Sequence, residues 1–161
     1  MIARRVNQLE VLSCEPKERR HAAPLLFVHG AFAGAWVWDE HFLPWFAAQG
    51  FSAHALSLRG HGGSAGHERI DWYSIHDYVE DVAEVIADLA AAPVLIGHSM
   101  GGFVVQKYLE RHSVPAAVLM CSVPPQGLVA AQFSLLFEKP GPMTEINRLP
   151  GGGAVALDVL R

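Results

Sequence analysis

The sequence predicts an α/β fold in which a mostly parallel sheet carries helices on its faces. Three observations point there. Short runs that are apolar along their whole length alternate with helix-patterned segments. Glycine and proline mark the breaks between them. One segment, Ser74 to Ala91, carries an unbroken apolar stripe at helical spacing.

The elements follow in order. Val6 to Ser13 alternates loosely and reads as an edge strand or half of a hairpin. Cys14 to Pro24 is charged and proline-bounded, a loop. Leu25-Leu26-Phe27-Val28 is apolar on both faces, as a buried parallel strand requires. Ala35 to Gln49 sets Trp38, Phe42, Leu43 and Phe46 at helical spacing before Gly50, which predicts one helix. Phe51 to Leu58 is the next strand, and Arg59 to Gly66 a glycine-dense loop. In the Ser74 helix, Ile75, Tyr78, Val79, Val82, Val85, Ile86 and Leu89 face inward. His76, Asp77, Glu80, Asp81, Glu84 and Asp88 form the wet face, and Ser74 with Asp77 makes a capping box. Pro93 to Gly97 is a strand, Met100 to His112 a helix, and Val114 to Cys121 a further strand ended by Pro124-Pro125. After that the rhythm is lost. Leu128 to Phe137 has the pattern of a helix, but Pro140, Pro142, Pro150 and Gly151-Gly152-Gly153 interrupt the rest.

Composition narrows the function. A chain of 161 residues, 51% hydrophobic and 17% charged, is core-forming, with room for one domain or part of one. A net charge of -4 excludes a basic nucleic-acid surface and a polybasic membrane anchor, so neither nucleic acid nor membrane is expected as a partner. No apolar run approaches the roughly 18 residues of a membrane span. There is no signal-peptide pattern, and a cytoplasmic location is expected. Cys14 and Cys121 read as buried free thiols in a reducing compartment. The nine histidines form no His-Glu-x-x-His or Cys/His cluster, so no metal and no other cofactor is expected.

Gly97-His98-Ser99-Met100-Gly101-Gly102 lies between a buried strand and a helix. That context makes Gly-x-Ser-x-Gly a nucleophile elbow. The chain must turn from strand to helix within a very few residues, which strains Ser99 and lifts its hydroxyl clear of the sheet. Gly97 and Gly101 flank it because larger side chains would collide there. His98 points elsewhere on so sharp a turn and reads as a packing residue. His29-Gly30-Ala31-Phe32 follows the first buried strand, and ligands bind at the carboxyl ends of such strands. Acyl transfer needs two donors at the oxygen that becomes negative. The N–H groups of Met100 and Ala31 are the candidates, with Gly30 allowing close backbone approach. Gly60-His61-Gly62-Gly63-Ser64 lacks both phosphate-loop and dinucleotide spacing and is an active-site-side loop rather than a nucleotide site. The aromatics Phe32, Trp36, Trp38 and Trp45 read as core residues first and as an apolar acyl or alcohol pocket second.

His29-Gly30, Arg59-Gly60-His61-Gly62-Gly63-Ser64 and Gly97-His98-Ser99-Met100-Gly101-Gly102, in this order and spacing, resemble the α/β-hydrolases over about Leu25 to Pro125. His29 to Trp36 is similar to the corresponding loop of plant esterases and hydroxynitrile lyases. The chain as a whole resembles bacterial esterases, lipase-like enzymes and cofactor-free haloperoxidase relatives. The resemblance implies an α/β-hydrolase fold, here the N-terminal part of its sheet with the C-terminal strands absent. It implies Ser99 as nucleophile, Ala31 and Met100 as oxyanion donors, and a cap beginning after the strand that ends near Cys121. Residues 1–125 would then be core and 126–161 the start of the cap. The family often has an acidic residue where this chain has Ser57.

In this fold the triad runs serine, acid, histidine along the chain. The only histidine after Ser99 is His112, and of Glu110, Glu138, Glu145 and Asp158 only Glu110 precedes a histidine. The 13 residue steps from Ser99 to His112 would span about 20 Å as helix. The acid and the base are therefore expected outside this chain, which reads as an incomplete portion of a longer enzyme. Its strand near Val114 to Cys121 would be an exposed apolar edge that invites self-association. The expected function is a serine hydrolase of small ester-type substrates. The alternatives are a hydroxynitrile lyase or a cofactor-free haloperoxidase on the same fold, or a non-catalytic pseudo-hydrolase module.

Overall fold

The structure, a computed structural model, describes Met1–Gly127: a first unit, Met1–Val123, and the start of a second from Pro124. The proposed cap, 126–161, lies outside the described residues from position 128 on.

Six strands form one sheet in the order β1-β2-β4-β3-β5-β6. β1 (Ile2–Val6) and β2 (Leu9–Cys14) form a complete antiparallel hairpin where the sequence suggested one strand or half a hairpin. β2 runs antiparallel to β4 (Ala53–Leu56). From there β4, β3 (Leu25–Val28), β5 (Val94–His98) and β6 (Ala117–Met120) are parallel. β3 and β4 are buried at every position, which is why β3 reads as an unbroken apolar run, while β4 also buries His54.

Alternate residues of each strand serve different cores. Leu26, Val28, Leu56 and Leu95 pack with Val82 and Val85 of α2 (Ile75–Asp88) and Val104 and Val105 of α3 (Met100–Leu109). Leu25, Phe27, Ala53, Ala55 and Ile96 pack on the other face with Trp38 and with Leu43 of α1 (Phe42–Ala48). The Ser74–Asp77 capping box is present at the start of α2.

Several expectations are corrected. Ala35 to Gln49 is not one helix but a 3-10 turn, Ala35–Trp38, followed by α1. Pro44 explains the break: it has no N–H for the residue 40 carbonyl and fits only in the first turn of a helix. Asp81 is not on the wet face of α2. It is 1% exposed, turned inward to meet Arg59. Cys121 is exposed and Cys14 half-buried, and both are free. Trp38 belongs to the core, 5.0 Å from the Phe27 ring, but Phe32, Trp36 and Trp45 are exposed. β6 lies at one edge of the sheet, with Val118 and Leu119 exposed.

Candidate active site

β5 ends at His98 and α3 begins at Met100, so Ser99 alone makes the turn. Its φ of 52° and ψ of -116° lie where side-chain-bearing residues are rarely found, at a cost of about 1–3 kcal/mol. Main-chain bonds hold it there. The Ser99 N–H donates to the Met120 carbonyl (2.9 Å), and its carbonyl accepts from Phe103 and Val123 (3.2 Å each).

The corner closes because its glycines have no side chains. A Cβ on Gly97 would lie 2.6 Å from the Gly101 carbonyl oxygen. A Cβ on Gly101 would lie 2.7 Å from the Val28 carbonyl carbon, and nearer still to the carbonyl oxygens of Val28 and His29. The first turn of α3 thus rests directly on the end of β3. A Cβ on Gly30 would lie 3.2 Å from the Ser99 Cβ. The sequence-selected residues Gly30, Gly97, Ser99 and Gly101 therefore meet at one point at the carboxyl end of the sheet. The Met100 N–H belongs to the first residue of α3 and has no partner within the helix. The Ala31 N–H follows Gly30 by one peptide. Neither N–H donates a hydrogen bond among the described residues.

His29 is fully buried and anchors this corner. Its Nε2 accepts the Leu58 N–H (3.0 Å), so Nδ1 carries the proton and donates to the Gly30 carbonyl (2.7 Å). Burial lowers its pKa to about 4, with the charge of His61 adding to the effect against the Gly30 hydrogen bond and the charge of Glu10. With both ring nitrogens engaged, His29 is a neutral strut between the ends of β3 and β4.

His98 is exposed overall, with its Nδ1 3.1 Å from where a Cβ on Gly30 would lie. It shares the α1 face of β5 with Ile96, lies one residue pair farther along, and is left uncovered there among the described residues. His112 lies beyond the far end of α3, a 10-residue helix of about 15 Å, with its ring stacked on Tyr108. No described histidine is hydrogen-bonded to the Ser99 hydroxyl.

Sequence reasoning missed two groups. The first surrounds Arg59. The Asp81 carboxylate accepts the Arg59 N–H (2.8 Å) and Nε–H (2.7 Å), while Asp77 and Glu80 lie 3.2 and 3.5 Å from its terminal nitrogens. Burial works against the Arg59 charge, but the hydrogen bond and charge of Asp81, with Asp77 and Glu80, outweigh it and raise the pKa. The paired arginine at 59 and acids one helical turn apart on α2 were the available signal. The second group is Glu10 with Ser57. The Ser57 hydroxyl donates to Glu10 (2.6 Å) and accepts the Ala35 N–H (2.8 Å). Only the resemblance, which implies an acidic residue where this chain has Ser57, hinted at it. Among the described residues there is no cluster fit to hold a metal ion, and no helix is long and apolar enough to cross a membrane.

A mostly parallel sheet with a one-residue strand–helix corner carrying a strained serine defines the class. Residues 25–159 match the α/β-hydrolase family, and the chain belongs to it. The chain is 37% identical over 108 residues to a non-heme haloperoxidase of Rhodococcus erythropolis, covering 63% of this chain and 38% of that protein. It is 36% identical over 113 residues to a non-heme chloroperoxidase of Burkholderia pyrrocinia, covering 66% and 39%. Among solved structures it is similar to a thioesterase domain from the curacin biosynthetic pathway, with 31% identity, a TM-score of 0.53, and coverage of 62% of this chain and 34% of that one. The chain spans about two fifths of the length of the curated relatives it matches.

Proposed function

We propose that the protein is a serine hydrolase of small carboxylic ester-type substrates. The hydroxyl of Ser99 attacks the substrate carbonyl, the alcohol leaves, and water releases the acyl group from the serine. The N–H groups of Ala31 and Met100 receive the oxygen that turns negative. The observation that carries this reading is the strained Ser99 backbone at the β5–α3 corner, packed directly against Gly30. Strain at a position held by main-chain bonds on both sides is what a presented nucleophile requires.

A serine hydroxyl without a base is a poor nucleophile. No histidine follows His112 in the sequence, and His29 is fully engaged. In this reading no described histidine serves as the proton acceptor for Ser99. The core alone, with its two donors, retains no more than about 10³–10⁴-fold over water.

The test is labelling of the full-length protein with a fluorophosphonate, followed by peptide mapping. Stoichiometric modification of Ser99, lost in Ser99→Ala, is expected together with ester hydrolysis. A folded protein that leaves Ser99 unmodified would return the site to the non-catalytic alternative. A second reading, halide oxidation with peroxide, is favoured by the names of the two curated relatives. It uses the same corner, and the ratio of halide oxidation to ester turnover separates the two activities.

A further inference from the structure

The glycine-dense loop Gly60–Ser64 binds no nucleotide in the reading above and contributes no reacting atom. Its geometry shows what it encloses. The loop wraps the Glu10 carboxylate of β2. One carboxylate oxygen, Oε2, accepts the Gly63 N–H (2.8 Å) and the Ser57 hydroxyl (2.6 Å). A Cβ on Gly63 would lie 2.7 Å from the Glu10 carboxyl carbon, and one on Gly62, which has φ +51°, would lie 2.9 Å from Oε2. The Glu10 main chain is fixed as well: its N–H donates to Ser64 Oγ (2.8 Å) and its carbonyl accepts from the Ser57 N–H (2.9 Å).

From Ser57 the connection continues to the loop beside Ser99. The Ser57 oxygen, its own proton committed to Glu10, accepts the Ala35 N–H at 2.8 Å. Gly34 packs on the same support, since a Cβ there would lie 2.9 Å from the Gly62 Cα. The loop from Gly30 to Ala35 is thus held at both ends. His29 and Ser99 fix the first end, and Ser57 with Glu10 behind it fixes the second. Between them lie Ala31, the candidate donor, and Phe32, strained at φ 60°. A loop containing a strained residue relaxes when an anchor is removed.

We propose that Glu10 is a positioning residue of this site. Its carboxylate orients the Ser57 hydroxyl, Ser57 holds the Ala35 amide, and that hold keeps the Ala31 N–H aimed at the reacting oxygen. The inference rests on the reading of Ser99 as nucleophile. A carboxylate is suited to the task because it accepts from Ser57 and Gly63 at once, and charge-assisted bonds are the stronger kind.

Three variants test it: Glu10→Ala, Glu10→Gln, and the double variant Glu10→Ala with Ser57→Asp. The double variant returns a carboxylate to the vacated space, since Ser57 Oγ already lies 2.6 Å from it. The measurements are the fluorophosphonate labelling rate at Ser99, kcat and KM for an ester, and amide hydrogen exchange at Ala35. Glu10→Ala is expected to lower kcat and the labelling rate by about 10–100-fold, as small misplacements do. KM stays within about 2-fold, because the anchor acts on the transition state. Exchange at Ala35 accelerates. Glu10→Gln, which keeps an acceptor oxygen, and the double variant recover most of the rate. A folded Glu10→Ala with wild-type labelling and unchanged Ala35 exchange overturns the proposal and leaves the role of Ser99 standing. Should wild type itself fail to label, the Ser99 reading falls and Ala35 exchange alone decides whether Glu10 holds the loop. Should Glu10→Ala not fold, the double variant decides. Recovery of fold and rate supports the proposal, and failure of both overturns it.

Discussion

Substituting Gly101 by alanine opposes two effects of different sign, and the structure says which wins. Gly101 is the second residue of α3, and alanine is the better helix former by about 1 kcal/mol. On propensity alone the variant is more stable than wild type. The added Cβ, however, would lie 2.7 Å from the Val28 carbonyl carbon and closer to two carbonyl oxygens, whereas ordinary contact begins near 3.4 Å. Helix and strand must separate by at least about 0.7 Å. Neither side yields easily, because β3 is paired with β4 on one side and β5 on the other up to Val28. Overpacking of this kind costs about 1–3 kcal/mol, and with backbone on both sides the upper end applies. The net expectation is destabilisation by about 2 kcal/mol, a urea midpoint lower by about 1 M at a typical slope. The same separation carries Ser99 and the Met100 N–H away from Gly30 and Ala31. A displacement near 1 Å costs up to about 10²-fold in rate, so fluorophosphonate labelling should fall by about 10–100-fold. The assays are urea unfolding and labelling kinetics on the same preparation. A variant with a raised midpoint and wild-type labelling would refute the contact between α3 and β3 that the site depends on.

Two further outcomes follow from buried charge. His29 has a folded pKa of about 4 against 6.5 unfolded, so between those values the unfolded chain binds a proton that the folded one excludes. Stability is full above about pH 6.5 and declines as the pH falls toward 4, by up to about 3 kcal/mol. His54, lowered by burial, acts in the same direction. Unfolding by urea at several pH values should show a shallower decline in His29→Asn, and an identical decline would remove His29 as the cause. Asp81→Ala removes the buried acceptor of the Arg59 N–H and Nε–H and should cost about 3 kcal/mol. Glu80→Ala removes only an exposed partner at 3.5 Å and should cost under about 1 kcal/mol. Equal losses in the two variants would contradict the burial difference.

The legible part of the fold was the part fixed by local pattern. β3 is buried on both faces and reads as an uninterrupted apolar run, and β4 and β5 are mostly apolar and mostly buried. The stripe and capping box of α2 repeat at helical spacing, so both its face and its start were visible. The misreadings arose where a distant partner overrides the local pattern. Asp81 sits among the polar residues of α2, and its burial depends on Arg59, which lies 22 residues away in sequence. The segment Ala35 to Gln49 has helical spacing throughout, but spacing is blind to the missing N–H of Pro44. The aromatics of the same region share one period, but Trp38, Phe42 and Phe46 gather around the Phe27 ring while Trp36 and Trp45 stay exposed.

The candidate site divides along the same line, and the division has a consequence for design. Its centre is a strand, one strained residue and a helix, contiguous from Val94 to Leu109, with a second strand end at His29-Gly30. Glycine marks each close approach because no other residue fits, so steric necessity writes this part into the sequence. The support from Glu10 is not written that way, since any residue pair that brings an acceptor behind the Ala35 N–H meets the same need. Glu10 and Ser57 are 47 residues apart, on β2 and just beyond β4, and neither sits in a motif. The centre is therefore intolerant of substitution, while the support can be rebuilt from other positions. A carboxylate moved from residue 10 to residue 57 should serve, whereas no side chain placed at residue 101 can.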